Sequence, residues 1–168
     1  MPKIISSEEG VKEFRNRGVP GAELFMGESV ISKMAFHADL GYGDNKEVMG
    51  LLMGKVYVDG EGEYAVAEGT ATSGLVATDT SVRFDPKALE DLFSSMNENK
   101  CRTVVGWYHS HPGFGCYMSD TDMKTHKNIF GEKTGFSAVL DPSEQTMSVF
   151  VNDDGSFRKA RMVVSEDL

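Results

Sequence analysis

One segment in the middle of the chain concentrates side chains that can bind a metal ion. Two histidines one residue apart, His109 and His111, follow the apolar run Val104–Tyr108, which is typical of a buried strand. Because alternate residues of a strand project to the same face, both imidazoles can reach one point. Asp122 lies in the first turn of a helix predicted to begin at Ser119, and it can bring a carboxylate there. Two neutral imidazoles and one carboxylate form the three-ligand shell of a catalytic zinc ion, with water in the fourth position.

A simpler interpretation applies to part of this segment. Ser119-x-x-Asp122 before a helix is also the signature of a capping box, which alone would explain both residues. A lone histidine is usually structural or exposed, but a cap does not require two histidines at strand spacing. The spacing therefore leaves a metal site and a simple helix cap as open alternatives.

A candidate general base lies far upstream of the histidines. Glu47 stands at the mouth of a nearly continuous apolar run, Val48–Val58, which predicts a strand buried on both faces. Asp59–Gly62 predicts a hairpin turn, and the alternating segment Glu63–Thr72 predicts the return strand. Away from a metal, Glu47 would be a solvated strand end, whereas beside a zinc ion it could accept a proton from water.

The remaining pattern predicts alternating helices and strands around this site. Ser73–Asp85 is irregular and predicts a connecting loop. The other predicted elements are a short strand at Val30–Ile31, a helix from Ser32 to about Leu40, a helix from Pro86 to about Asn99, and closing strands at Phe136–Leu140, Thr146–Val151 and Phe157–Val164.

Composition excludes several classes of function. A chain of 168 residues suffices for one domain with a sizeable core. The formal net charge is −9 and there is no basic run, which argues against a nucleic-acid groove. Two cysteines imply no disulfide framework and favour a reduced setting. The sequence has neither an apolar signal region nor an apolar run of about 18 residues, so we expect a cytoplasmic protein without a membrane partner.

Three further side chains could take part in such chemistry. Cys116 lies between the candidate ligands, but a fourth protein ligand would close the site and leave no position for water. His126 follows Asp122 by four residues, hence on the same helix face, and we interpret it as a helix-surface group, with a contact to the metal ligands as the alternative. We interpret His37, on the predicted helix after Ser32, as a partly exposed surface histidine.

The pattern His109-x-His111-Pro112-x6-Ser119-x-x-Asp122 resembles the signature of the JAMM/MPN+ metalloprotease family, and Glu47 matches the glutamate that this family carries upstream. The run His-Ser-His-Pro-Gly-Phe-Gly-Cys is most similar to the branch that contains the proteasome-lid deubiquitinase and the signalosome deneddylase. The resemblance extends from about residue 30 to 164. It implies an α/β fold of the MPN (cytidine-deaminase-like) type, a central curved mixed β-sheet flanked by helices. We therefore predict an N-terminal extension at 1–22 and a single MPN+/JAMM domain at 23–168.

The resemblance also implies an activity and a role for each residue. The protein would be a zinc metalloprotease with one Zn²⁺ per chain, held by His109, His111 and Asp122. Glu47 would be the general base and Ser119 the donor to the oxyanion. The substrate would be the isopeptide bond between the Gly-Gly terminus of ubiquitin, or of a ubiquitin-like modifier, and a lysine side chain. The implied partners are such conjugates, a proteasome-related complex or another MPN subunit.

Two other functions remain open at the level of the sequence. One is a non-catalytic MPN scaffold that only dimerises, although scaffold members usually lack the ligands that are present here. The other is a zinc hydrolase acting on another amide, such as a small peptide. The resemblance further implies that the segment 74–82 lies beside the active-site groove and helps to hold the substrate tail. Lys127–Gly135 is shorter than the corresponding insertion in proteasome-lid members, which puts their mode of assembly in question.

Overall fold

A mixed β-sheet with one helix on each face forms the described part of the protein. The computed structural model describes residues 21–60, 62–72 and 103–165, and the backbone of 4–5, 76–77 and 82–83. In chain order the elements are β1 (Ile4–Ile5), β2 (Leu24–Gly27), α1 (Glu28–Gly43), β3 (Met49–Asp59), β4 (Gly62–Ala71), β5 (Val76–Ala77), β6 (Val82–Arg83), β7 (Thr103–Ser110), α2 (Asp120–Phe130), β8 (Phe136–Asp141), β9 (Thr146–Asp153), β10 (Ser156–Lys159) and β11 (Met162–Ser165).

The sheet curls strongly about its central strands. Its order is β10-β9-β8-β7-β3-β4-β2-β11, and β1 also pairs with β3. β7 runs parallel to β8 but antiparallel to β3, so the sheet is mixed. β10 and β11 lie at opposite ends of this order, yet only residues 160–161 separate them. The two edges must therefore approach each other, which confirms the predicted curved mixed sheet.

The two helices cover opposite faces of the sheet. Tyr108 on β7 belongs to the core cluster that contains Val30 and Met34 of α1. Its neighbour Trp107 belongs to a second cluster, which contains Phe130 of α2. Because successive strand residues point to opposite faces, α1 and α2 lie on either side of β7. The predicted α/β arrangement of a sheet flanked by helices is confirmed within the described residues.

The predicted start of the first helix was wrong. Val30–Ile31 is not a strand and Ser32 is not a cap, because α1 already begins at Glu28 with Gly27 in the N-cap position. The buried residues of α1 recur at helical spacing: Val30, Met34, Ala38 and Gly41. The β-branched pair thus belongs to the apolar stripe of a helix. The neighbouring strand is β2, which the sequence did not indicate.

The last predicted strand was also wrong, because Phe157–Val164 forms two strands. β10 pairs with β9 at one edge of the sheet, whereas β11 pairs with β2 at the other. Between them, the backbone of Arg161 receives N–H donations from Glu23 and Leu24. The chain therefore crosses from one edge to the other at this point, and the crossing interrupts the strand.

The other predicted elements that fall in the described residues are confirmed. β3, β4, β7, β8 and β9 occur where they were expected, and α2 follows Ser119. The helix predicted from Pro86 to Asn99 lies outside the described residues. Of the predicted loop at Ser73–Asp85, the backbone of β5 and β6 is described; the two strands pair with each other, and β6 lies against α2. No helix in the described ranges is long and apolar enough to span a bilayer.

Candidate active site

The end of β7 brings three candidate residues together. Met49 on β3 pairs with His109, so the antiparallel register carries the residues before β3 toward His111. Two hydrogen bonds reinforce this register: the Ser110 N–H donates to the Val48 carbonyl at 3.0 Å, and the Val48 N–H donates to Ser110 Oγ at 2.9 Å. Glu47, which directly precedes Val48, is thereby held beside the two histidines.

The start of α2 brings in the remaining two candidates. Ser119 is the N-cap, and its Oγ accepts the Asp122 N–H at 3.1 Å. Asp122 Oδ2 in return accepts the Ser119 N–H at 2.9 Å, so the predicted capping box is present. The same Oδ2 lies 3.0 Å from Nε2 of His109 and 3.0 Å from Nε2 of His111. Helix cap and candidate ligand are therefore the same carboxylate, and the two interpretations are compatible.

This arrangement fits a metal ion. One ligand atom from each of His109, His111 and Asp122 lies within 4.8 Å of the others, and all three residues are buried. The separations of 3.0 Å are near the roughly 3.3 Å between two ligands of a tetrahedral zinc ion. Within the described part of the chain, neither ring nitrogen of His109 has a well-aligned hydrogen bond, and Nδ1 of His111 also lacks one. Buried polar atoms without partners are rare, and a cation between the two rings and Asp122 would bind the Nε2 atoms that face this carboxylate.

The protonation of the cluster suits a cation as well. Burial lowers the pKa of His109, which favours a neutral imidazole with a free lone pair. Burial opposes ionisation of Asp122, but attraction to the imidazoles of His109 and His111, each 3.0 Å from Oδ2, outweighs it and holds the pKa of this carboxyl well below its usual range. For His111, burial lowers the pKa, but Asp122 and Glu47 outweigh this effect and raise it. Binding of a metal would displace any proton held by His111.

Glu47 has the properties of a general base. It is 6% exposed, and burial raises its pKa to about 7, with the charge of His111 opposing the rise and that of Asp122 adding to it. A base with a pKa near the working pH combines a useful ionised fraction with proton affinity. Perturbed carboxylates of this kind cluster at functional sites.

The loop between β7 and α2 is fixed by a residue that the sequence did not single out. Asp141, at the end of β8, accepts the Gly113 N–H on Oδ1 and the Gly115 N–H on Oδ2, both at 3.0 Å. Both glycines have positive φ, +79° and +82°, which other residues rarely adopt. The loop so held brings the Tyr117 ring to 5.1 Å from the His111 ring. Asp141-Pro142 signals only a turn in the sequence, so nothing local indicates this clamp.

One histidine interpretation was wrong, and one cysteine is placed apart from the cluster. His126 is fully buried rather than on the helix surface, and its Nδ1 accepts a hydrogen bond from Trp107. His37 is partly exposed on α1, as predicted, and its Nδ1 lies 2.6 Å from the Tyr108 hydroxyl. Cys116 Sγ lies 3.4 Å from the hydroxyl of Thr146 and does not belong to the candidate metal cluster.

The mixed sheet flanked by helices and the buried cluster of His109, His111 and Asp122 are consistent with a metal-binding α/β protein. Comparison with known proteins identifies its family. The model of the JAB1/Mov34/MPN/PAD-1 ubiquitin protease family matches residues 26–132. This range includes the five candidate site residues: Glu47, His109, His111, Ser119 and Asp122. The chain belongs to this family, and the predicted JAMM/MPN+ membership is confirmed.

Several similar proteins are the same subunit of one complex in different organisms. COP9 signalosome complex subunit 5 of Caenorhabditis elegans is 36% identical over 131 residues, covering 75% of this chain and 34% of the relative. The subunit from Oryza sativa subsp. japonica gives the same identity and coverage. Subunit 5b of Arabidopsis thaliana is 33% identical over 131 residues, covering 75% of this chain and 35% of the relative. The chain thus spans about a third of the length of these relatives.

A solved structure supports the fold. The solution structure of a Desulfitobacterium hafniense protein superposes with a TM-score of 0.68 and 18% sequence identity, covering 86% of this chain and 94% of that one. At this identity the likeness concerns the fold alone, and it agrees with the MPN-type architecture.

Proposed function

We propose that this chain is a zinc-dependent isopeptidase that removes ubiquitin or a ubiquitin-like modifier from lysine side chains. The observation that carries the proposal is the convergence of His109, His111 and Asp122 on one buried point next to Glu47. Family membership supports a metalloprotease, and the ligand chemistry supports one zinc ion per chain. A scaffold would have no use for two buried imidazoles whose nitrogens lack well-aligned hydrogen bonds.

His109, His111 and Asp122 would hold the ion. When bound, zinc would lower the pKa of a water molecule to about 7 and polarise the scissile carbonyl. Glu47 would accept the proton of the attacking water on its carboxylate and then deliver it to the departing lysine amine. Burial of Glu47 supports this role, because its raised pKa makes the protonated form accessible near pH 7.

Ser119 would donate a hydrogen bond to the oxyanion that develops on the carbonyl. Its Oγ accepts the Asp122 N–H, which occupies a lone pair and leaves the hydroxyl hydrogen for a second partner. The cap would thereby orient the hydroxyl that acts in catalysis. One oxyanion donor of this kind typically supplies about 3 kcal/mol of transition-state stabilisation.

The segment 74–82 would hold the modifier tail. β5 lies within this segment and β6 begins at its last residue; the two strands pair as an antiparallel sheet, and β6 lies against α2, the helix that carries Asp122. An extended Gly-Gly tail presents backbone groups but no side chains, so addition of a strand would give affinity with little side-chain readout. Pro substitution at Ala77 or Thr78 should weaken turnover of the modifier substrate and leave zinc content unchanged.

The names of the similar proteins support a further part of the proposal, that the chain works in a multisubunit complex. We place this complex in the cytoplasm. The proposed partners are another MPN subunit or a proteasome-related assembly, besides the modifier conjugates. Recovery of the tagged protein from its native cells only as a free single chain would contradict this part.

A substrate panel tests the activity. Fluorogenic C-terminal amides of ubiquitin and of ubiquitin-like proteins would be compared with a short peptide that ends in Gly-Gly, using Glu47→Gln as the matched inactive control. We expect the modifier substrates to be cleaved, the cleavage to stop with chelator and to return with zinc. Cleavage of the peptide alone would favour a general amide hydrolase, and no cleavage by the zinc-loaded protein or its complex would favour a scaffold.

A further inference from the structure

Trp107 and His126 form a buried pair behind the candidate metal site. Trp107 precedes His109 by two residues on β7, and the two rings stack with centroids 4.3 Å apart and planes 17° from parallel. Nε1 of Trp107 donates a hydrogen bond to Nδ1 of His126 at 3.1 Å. Both side chains are fully buried. One face of the His109 imidazole is therefore backed by an indole whose own orientation is fixed by a bond to α2.

The state of His126 follows from this bond. Because Nδ1 accepts a hydrogen bond from the Trp107 N–H, the neutral ring carries its hydrogen on Nε2. Burial lowers the pKa of His126 to about 4, an effect that the Asn152 side chain opposes. The rings of Phe130 and Phe157 enclose the imidazole, with centroids 4.8 Å and 4.9 Å away. His126 is thus a permanent, well-oriented acceptor at neutral pH.

Simple packing does not account for this pair. A hydrocarbon side chain at position 126 could fill the space between strand and helix without two buried polar atoms that must match each other. The hydrogen bond also fixes the position of β7 relative to α2. β7 carries His109, α2 carries Asp122 one turn before His126, and the bond ties the strand to the helix close to both.

We propose that Trp107 and His126 are positioning residues for the metal site. The hydrogen bond between them holds β7 and α2 at the separation that the ligands need, and the stacked indole fixes the plane of the His109 ring. This inference rests on the proposed zinc site. Groups that orient metal ligands in this way typically change metal affinity by 10- to 100-fold when they are removed.

Zinc affinity measured by chelator competition tests the proposal without any substrate. His126→Leu removes the acceptor at similar volume and should weaken zinc binding by about 10- to 100-fold. His126→Asn can place Oδ1 where Nδ1 lies, and it should restore binding to within about threefold. Thr125→Val is the matched control. It removes the 3.0 Å hydrogen bond from Thr125 Oγ1 to the Thr121 carbonyl in the same helix without touching Trp107, and it should leave zinc binding within about twofold.

Two further measurements separate positioning from stability. Trp107 is the single tryptophan of the chain, so its emission should change saturably when zinc alone binds beside it. Trp107→Phe keeps a stacked ring but loses the donor, and its effect on zinc affinity should not add to that of His126→Leu in the double variant. Trp107→Phe also carries the test if His126→Leu does not fold.

The outcomes distinguish the two proposals. Folded His126→Leu or Trp107→Phe protein with wild-type zinc affinity would overturn the positioning role and leave the zinc site intact. Fully additive effects in the double variant would also overturn it. A wild-type protein that binds no zinc would overturn the site itself and the positioning role with it.

Discussion

Two acidic side chains, Glu23 and Asp122, each lie among basic groups in different parts of the sheet. We call Glu23 with Arg158 and Arg161 the Glu23 corner, and Asp122 with His109, His111 and Glu47 the Asp122 corner. Glu23 lies where the two sheet edges meet. Its carboxylate accepts hydrogen bonds from both terminal nitrogens of Arg158, and from the backbone N–H and Nη2 of Arg161 at 3.0 Å each. Asp122 faces the imidazoles of His109 and His111 at 3.0 Å.

The difference between the corners lies in what the partners can donate. A guanidinium offers N–H groups and no lone pair, so the Glu23 corner is satisfied within the chain and needs no ligand. A neutral imidazole offers a lone pair on one nitrogen, and the buried rings of His109 and His111 leave nitrogens without aligned partners. A closed ion-pair network therefore supports the fold, whereas an incomplete cluster of acceptors is able to hold a cation, as we propose for Asp122 and the two histidines.

Matched acid-to-amide substitutions should give the largest contrast between the corners. Asp122→Asn replaces the anionic ligand, and we expect loss of zinc with a fall in turnover of about 10³-fold or more, because the metal supplies several kcal/mol to the transition state. Glu23→Gln should retain zinc and turnover, while its unfolding free energy drops by about 1–2 kcal/mol. Metal analysis and denaturant unfolding of both variants measure this. Equal zinc loss in the two variants would remove the distinction.

Glu47→Gln should sharpen the comparison within the Asp122 corner. The amide keeps the shape of the side chain but cannot accept the proton of water. We expect nearly normal zinc content with a loss of turnover of at least about 10²-fold. For the wild type, turnover should rise with pH as Glu47 ionises. Burial raises the pKa of Glu47 from 4.5 to about 7 in the metal-free protein. Because a bound cation lowers this pKa, the midpoint of the pH profile should lie between these two values. An active Glu47→Gln enzyme would show that another group is the base.

Two substitutions of Ser119 test whether its role as a helix cap can be separated from its proposed role in catalysis. Ser119→Ala should lower kcat by about 10²-fold with little change in substrate binding, and it should cost about 1 kcal/mol of stability as a lost cap. Ser119→Asp restores an excellent cap but puts a negative charge near the developing oxyanion. We expect it to be stable, zinc-loaded and inactive. Wild-type turnover in Ser119→Asp would reduce the serine to a cap.

The smallest expected effect is a pair of opposite pH dependences in the metal-free protein. Folding raises the pKa of Glu47 from 4.5 to about 7, so its contribution to stability is present below pH 4.5 and lost as the pH rises through 7. Glu47→Gln should therefore be more stable than the wild type at pH 8, by about 1–3 kcal/mol. For Glu23, burial raises the pKa, but hydrogen bonding to Arg158 and Arg161 outweighs it, so folding lowers the pKa and this contribution is lost as the pH falls. Unfolding curves with the same pH slope for Glu23→Gln and Glu47→Gln would contradict the account.

The sequence predicted the Asp122 corner better than the Glu23 corner, and the reason is local spacing. His109, His111 and the capping box need only strand alternation and one helix turn, so their convergence can be read from neighbouring residues. Glu47 was indicated by the resemblance to the family, because its place beside His111 depends on the long-range pairing of β3 with β7. The positions of most central strands followed from the apolar patterns, whereas the curved mixed sheet was implied by the resemblance to the family.

Features that depend on distant partners were missed. The break between β10 and β11 depends on Glu23, some 138 positions away from Arg161. The buried place of His126 depends on Trp107 across the β7–α2 contact, although its spacing from Asp122 indicated only a helix surface. The Asp141 clamp likewise joins the end of β8 to a loop that precedes it by 26 positions or more. Local pattern carries no signal for any of these contacts.

Zinc content measured by native mass spectrometry tests the central claim most directly. The account predicts about one zinc per chain in wild-type protein, undiminished occupancy in Glu23→Gln, and clearly lower occupancy in His109→Ala. Wild-type protein that stays metal-free after incubation with zinc, or His109→Ala that retains a full zinc ion, would contradict the assignment of this corner as the metal site.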